Sequence, residues 1–160
     1  MKNINVTCVS SREDTRQRCA DLVVQNTDID LIALPAGLPR QGAWETLSKT
    51  DVVVIDESIL QCEGFAAVRW MLDTYQCINA LIIMEYISNE AMTWTLVQGV
   101  RGVLLKTDID RFLGKAIRRI HAGEVWMPRK LVESLRNPVR QSPGHPVGKE
   151  TPQSGWGRWH

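Results

Sequence analysis

The chain has 160 residues, a length that fits one domain with some additional sequence. Hydrophobic residues make up 44% of it, enough for a core and too many for a wholly disordered chain, and a formal net charge of +1 gives no bulk attraction to nucleic acid or anionic membrane. No run approaches the roughly 18 apolar residues of a membrane span, and the N-terminus MKNINVTCVSSRED lacks an apolar stretch of signal-peptide length, so a soluble cytoplasmic domain is expected.

Residues 4–9 open a series of short runs rich in Val, Ile and Leu, which continues at 29–34, 52–55, 81–84 and 103–105. Each is too short for a helix and reads as a buried strand. Helical spacing fills most of the intervals. Residues 12–26 place Cys19, Leu22 and Val23 inward, and 41–48 give a shorter helix. Phe65, Val68, Met71, Leu72 and Tyr75 share one face. A fourth helical segment carries Trp94. Ile109, Phe112, Leu113, Ala116, Ile117 and Ile120 then follow the i, i+3, i+4, i+7, i+8, i+11 pattern of an amphipathic helix. Parallel neighbours need crossover connections, and helices supply them, so strands alternating with helices predict a parallel sheet in a three-layer α/β domain over residues 1–122.

Past His121 the character changes. Gly123 breaks the last helix, Pro128 opens a short helix marked by Leu131, Val132 and Leu135 and running to Arg136, and the linker occupies 123–136. Residues 137–160 alternate prolines with glycines, a tail composition, and close on GWGRWH, read as an adventitious end ahead of an aromatic docking segment. Cys8, Cys19, Cys62 and Cys77 contain no CxxC pair and no histidine at zinc-ligand spacing, which favours buried free thiols over a disulfide or metal framework. There is no G-x-G-x-x-G, no G-x-x-x-x-G-K-[ST] and no G-x-S-x-G, so dinucleotide, P-loop and hydrolase-elbow readings have no support.

In an open parallel sheet, ligands and chemistry gather beyond the carboxyl ends of the strands. The residues ending each run are Ser10 and Ser11, Asp56 and Glu57, Glu85, and Lys106. Asp56 follows VVVI and Lys106 follows VLL, so a carboxylate and an ammonium are predicted to emerge at neighbouring strand ends, able to pair or to hold a phosphoryl group between them.

The segment VRGVLLKTDIDRFLGKAIRRIHAGEVWMPRKLVESL resembles the end of receiver domains in NarL/FixJ-type (LuxR-type) response regulators, where a G-Y-L-L-K-like strand leads to a final helix and an A-G-E-x-W-x-P linker. DVVVIDESILQCEGFAAVR is similar to the same family without gaps, and the likeness spans residues 3–136. The resemblance implies a doubly wound, flavodoxin-like five-stranded parallel sheet of order 2-1-3-4-5. It places Asp56 at the phospho-acceptor aspartate, Lys106 at the phosphate-neutralising lysine and Gly64 at a loop glycine. The family's acidic pair, which holds Mg²⁺, is here Ser10 and Ser11; its serine or threonine after the fourth strand is Glu85; and its loop proline is Leu60.

These departures predict an altered pocket. Two neutral hydroxyls are poor ligands for Mg²⁺, so binding of that ion is expected to be weak or absent, with Glu13 and Asp14 the nearest substitutes. Glu85 brings a second carboxylate toward Asp56, which disfavours a dianionic phosphoryl group, and Lys106 is expected to pair with both. The leading expectation is a signalling module, not an enzyme, that controls transcription by homodimerisation or partner contact with little phosphorylation. A working acceptor phosphorylated on Asp56 by a histidine kinase is the alternative. A small-molecule-binding domain with a cavity around Ser10, Asp56 and Glu85 comes third. The short tail after Arg136 leaves no room for a helix-turn-helix, so direct DNA binding is not expected. Trp94 is read equally as packing or as part of a dimer face. Arg118, Arg119, Arg129 and Lys130 are read as a solvated face ahead of a partner contact, and His121 is explained by the helix dipole.

Overall fold

The structure, a computed structural model, describes residues 2–38 and 44–128. The five apolar runs become five parallel strands: β1 (Ile4–Val9), β2 (Ile29–Ala33), β3 (Val52–Asp56), β4 (Asn79–Met84) and β5 (Gly102–Leu105), in the order β2-β1-β3-β4-β5. The helices are α1 (Glu13–Val23), α2 (Trp44–Ser48), α3 (Glu57–Glu63), α4 (Phe65–Thr74), α5 (Asn89–Val97) and α6 (Ile109–His121), with a 3-10 turn at Lys106–Asp108. No described helix is long and apolar enough to cross a membrane.

Side chains alternate across a strand, so a sheet covered on both faces needs apolar residues at every central position. β3 meets that condition from Val52 to Ile55, all of them buried. Its Val53 and Ile55, with Ala80, Ile82 and Met84 of β4, pack under a core completed by Leu47 (α2), Leu60 (α3), Phe65, Val68 and Met71 (α4) and Met92 (α5). Val52, Val54, Leu81 and Ile83 face the other core, closed by Cys19 and Val23 of α1 and by Leu113, Ala116, Ile117 and Ile120 of α6. Trp94 is half-buried against the first core, its ring edge-on to Phe65 at 4.6 Å, which makes it a packing residue.

Two local expectations are corrected. The stretch around Leu60 is helix, not loop: α3 starts directly after Asp56, which keeps an extended backbone, and buries Ser58, Ile59 and Leu60. Without a proline at position 60, nothing interrupts that turn of helix, and the apolar pair has a core to enter. Gly64, at φ 82°, then separates α3 from α4 in a conformation that favours glycine. The four cysteines are free, but only Cys8 and Cys19 are buried. Cys62 is on the outer side of α3, and Cys77 occupies the turn before β4.

Gly123, at φ 92°, ends α6 as the sequence indicates. The chain then runs extended along the outer edge of β5. Trp126 donates its N–H to Arg101 O (3.1 Å) and accepts from Val103 N (3.0 Å), a parallel bridge opposite Gly102. The Trp126 ring leans on Phe112 at 5.9 Å between centroids. The linker helix beyond Pro128, the basic residues Arg129 and Lys130, the tail with its tryptophans, and residues 41–43 of the short predicted helix lie outside the described residues.

Gly102 has no room for a side chain: an added Cβ meets Ile120 Cδ1 at 2.8 Å, Trp126 Cβ at 2.9 Å and Trp126 O at 3.0 Å. Gly102→Ala is therefore expected to destabilise the domain by about 1–3 kcal/mol, as overpacking does. Urea denaturation would measure the loss.

Candidate functional site

The carboxyl ends of β1, β3 and β5 deliver the site. Asp56 is the last residue of β3 and only 1% exposed. Ser10, directly after β1 and next to β3 in the sheet, donates its hydroxyl to Asp56 Oδ2 at 2.9 Å. Ser10 is itself fixed: its Oγ accepts from Arg12 N (3.0 Å), and its carbonyl accepts from the Arg16 guanidinium (2.7 Å). Lys106, directly after β5, reaches past the end of β4 to bring its ammonium within 3.4 Å of Asp56 Oδ1. That oxygen has no hydrogen bond in the structure, so the lysine contact is a charge contact without good hydrogen-bond alignment.

Glu57, the first residue of α3, lies 4.0 Å from the same ammonium. Burial raises its pKa above the ordinary carboxylate value, against the lowering effects of the Glu85 backbone N–H and Lys106. Its Oε1 accepts that N–H at 3.1 Å. Glu85 itself is exposed. The second carboxylate beside Asp56 and Lys106 is thus Glu57, and the expected Glu85–Lys106 pairing is corrected. Residue 85 has already left β4, where Met84 faces the core, so it contributes its backbone to the site while its side chain faces water. α3, starting at residue 57 without an intervening loop, swings its first carboxylate over the lysine.

Ser11 has an exposed side chain and donates its backbone N–H to Ser58 Oγ at 3.2 Å. The structure brings together Ser10, Asp56, Glu57 and Lys106, and leaves the side chains of Ser11 and Glu85 at the rim. A crevice too tight for a water molecule borders Asp56 on the α1 side, lined by Ser10, Thr15, Arg16, Cys8 and Cys19 among others. Glu85 takes no part in it, contrary to the expected cavity around Ser10, Asp56 and Glu85. Arg16 was missed in the sequence; its helical position six residues after the serine was the available signal.

A divalent cation such as Mg²⁺ wants several anionic or carbonyl oxygens. Asp56 offers one oxygen engaged by Ser10 and one faced by an ammonium. Glu13 and Asp14, exposed in the first turn of α1, do not join it; Asp14 Oδ1 accepts from Thr15 N instead. Among the described residues, no three Asp, Glu, His or Cys side chains gather at metal-binding distance. The donor set fits Mg²⁺ poorly.

No family model matches the chain. It is 23% identical over 152 residues to the DNA-binding transcriptional activator DevR/DosR of Mycobacterium tuberculosis, covering 95% of this chain and 68% of that protein. It is 30% identical over 113 residues to the oxygen regulatory protein NreC of Staphylococcus haemolyticus, covering 69% of this chain and 51% of that protein. The chain thus spans about half the length of NreC. The isolated receiver domain of RcsB from Salmonella enterica serovar Typhimurium, in the apo form, superposes with a TM-score of 0.72 at 15% identity, over 84% of this chain and 99% of that one. The homologues are response regulators, and the fold is that of their receiver domains.

Removing one partner of a buried ion pair leaves the other charge uncompensated. Lys106→Met is expected to destabilise the domain by about 3 kcal/mol at neutral pH, and adding Asp56→Asn should recover most of that loss. Chemical denaturation of the single and double variants would measure both.

Glu57 gives a second test. Its folded-state pKa is raised from an ordinary 4.5, so the folded protein holds the proton more tightly than the unfolded chain. The associated stability is present below pH 4.5 and is lost as pH rises through the folded-state value. Glu57→Gln keeps an acceptor for Glu85 N and should flatten the fall in stability above pH 4.5, measured by denaturation across pH.

Proposed function

We propose that this chain is the receiver module of a two-component transcriptional response regulator whose pocket is held closed by its own charges. Its output would be contact with a second copy of the chain or with a partner protein, with little or no phosphoryl transfer. The Lys106 ammonium, set between Asp56 and Glu57, carries the reading. A lysine that must neutralise an incoming phosphoryl group is here engaged by two carboxylates, and the added negative charge of Glu57 opposes a dianion at Asp56. The hydroxyl of Ser10, placed where the resemblance puts one of two metal-binding acids, occupies the other oxygen of Asp56. On this reading Mg²⁺ binding is weak and the module is a signalling device rather than an enzyme.

One observation favours a second reading, a working acceptor served by a histidine kinase. Asp56 Oδ1 has no hydrogen bond and faces the lysine, as an attacking oxygen would.

Acetyl phosphate with Mg²⁺, read by intact mass, separates the two. The closed pocket predicts little or no phosphorylated protein, and Ser11→Asp, which puts an anionic ligand back on an exposed side chain, should raise Mg²⁺-dependent labelling. Stoichiometric acyl phosphate on Asp56 in the unaltered chain would overturn the first reading in favour of the second. Analytical ultracentrifugation tests the output, for which a concentration-dependent dimer is the expected result.

A further inference from the structure

β5 is the last strand of the sheet, and its outer edge is covered by a strip of the same chain. The strip closes the margins of both cores: Trp126 packs on the α1–α6 side, Met127 packs on the other, and Pro128 is buried after them. Its backbone hold is brief. Trp126 N–H donates to Arg101 O and Val103 N–H donates to Trp126 O, so the next donor of a parallel ladder, two residues on, would be position 128. Proline has no N–H, and the ladder stops there.

The turn that delivers the strip is held by little. Gly123 takes φ 92°, with no atom within 4 Å of where a Cβ would stand. Gly123 N–H and Glu124 N–H fold back onto Ile120 O and Arg119 O, each at 3.0 Å. Ala122, Gly123, Glu124 and Val125 are all exposed, so these hydrogen bonds can be exchanged for bonds to water at small net cost. A strip that swings away uncovers Trp126 and Met127 and leaves a bare edge strand, a template for another chain. The seat matches one segment in register and in both side-chain contacts, because an added Cβ at Gly102 would meet Trp126 Cβ at 2.9 Å and Trp126 O at 3.0 Å. A second copy of the chain carries that same segment, and its arrival restores each lost contact.

We propose that the outer edge of β5 is a strand-exchange seat, where the Trp126 strip of one chain is replaced by the Trp126 strip of a second copy. Exchanged and unexchanged chains make the same contacts in the seat. The balance between them therefore rests on protein concentration and on the turn at Gly123. Opening that turn frees residue 123 from a positive φ, which costs glycine nothing and any other residue more. Glycine thus keeps the strip at home, and a residue with a Cβ at 123 favours exchange. The seat involves none of the side chains around Asp56, so exchange does not rest on the closed-pocket reading.

The test uses the full chain in a Cys62→Ser/Cys77→Ser background, which removes the two exposed thiols. Arg101 and Val125 stand opposite each other one step before the Gly102–Trp126 bridge, and both are exposed. Chains with Arg101→Cys alone and chains with Val125→Cys alone are refolded together from urea at high concentration and oxidised. A disulfide from 101 of one chain to 125 of another, read by intact mass and peptide mapping, is expected in excess of 101–101 and 125–125 links. Gly123→Ala, which meets no neighbour and acts only through φ, is expected to lower the dimer dissociation constant by about tenfold or more in analytical ultracentrifugation. A dissociation constant that Gly123→Ala leaves unchanged would defeat the proposal. So would the absence of the link between chains when a chain bearing both cysteines closes it internally. A dimer lacking the 101–125 link rules out strand exchange and leaves the second-copy contact of the proposed function standing.

Discussion

An ammonium resting against a carboxylate that is 1% exposed is the contact to which the rest of the pocket answers. A carboxylate at that depth is tolerable only with an opposing charge and hydrogen-bond donors. The sheet supplies them from both sides of β3: a hydroxyl from the end of β1 and a lysine from the end of β5. Lys106 must span the end of β4, and the 3-10 turn at Lys106–Asp108 starts it from the right place. The order β2-β1-β3-β4-β5 is thus a condition of the site, because only with β3 central can residues from β1 and β5 meet at one side chain.

The flanking helices are tied in a more modest way. Arg118 of α6 grips Asp28 with two nitrogens at 2.7 and 2.9 Å and reaches Asn26 at 2.6 Å. Arg18 of α1 pairs with Asp110 of α6 at 2.9 Å. All four charged partners of these pairs are roughly half exposed, so each pair contributes little to stability and chiefly fixes how α6 lies beside α1. Arg118 and Arg119, read as part of a solvated face, are exposed and also pair within their own domain, Arg119 meeting Glu124 at 3.2 Å.

The strands and α6 were legible because burial leaves a periodic signature. Val52, Val53, Val54 and Ile55 admit no other place than a sheet covered on both sides, and the heptad-like spacing of α6 marks one helical face. Strand ends were legible for the same reason: a charged residue after an apolar run has nowhere to go but the sheet's edge. What the pattern does not encode is direction once the chain leaves the strand. Glu57 and Glu85 both follow an apolar run, and only the immediate onset of α3, set by three-dimensional packing of Ile59 and Leu60, decides which of them leans over Lys106. The Cys8–Cys19 neighbourhood was equally hidden, since one thiol comes from a strand and the other from a helix whose rotation about its axis is fixed by tertiary contacts.

The strip that Trp126 lays along β5 has a geometric consequence. A polypeptide leaving a domain through an unanchored turn can take any heading, but here the backbone is bonded on both sides of Gly102 and Pro128 is buried. The course of the backbone from Trp126 to Pro128 is consequently set by the last strand of the sheet. A shift of β5, the strand that carries Lys106 to the pocket, would therefore carry the Trp126 strip with it, so the pocket and that edge of the sheet move as one piece, like a hinge leaf and its pin.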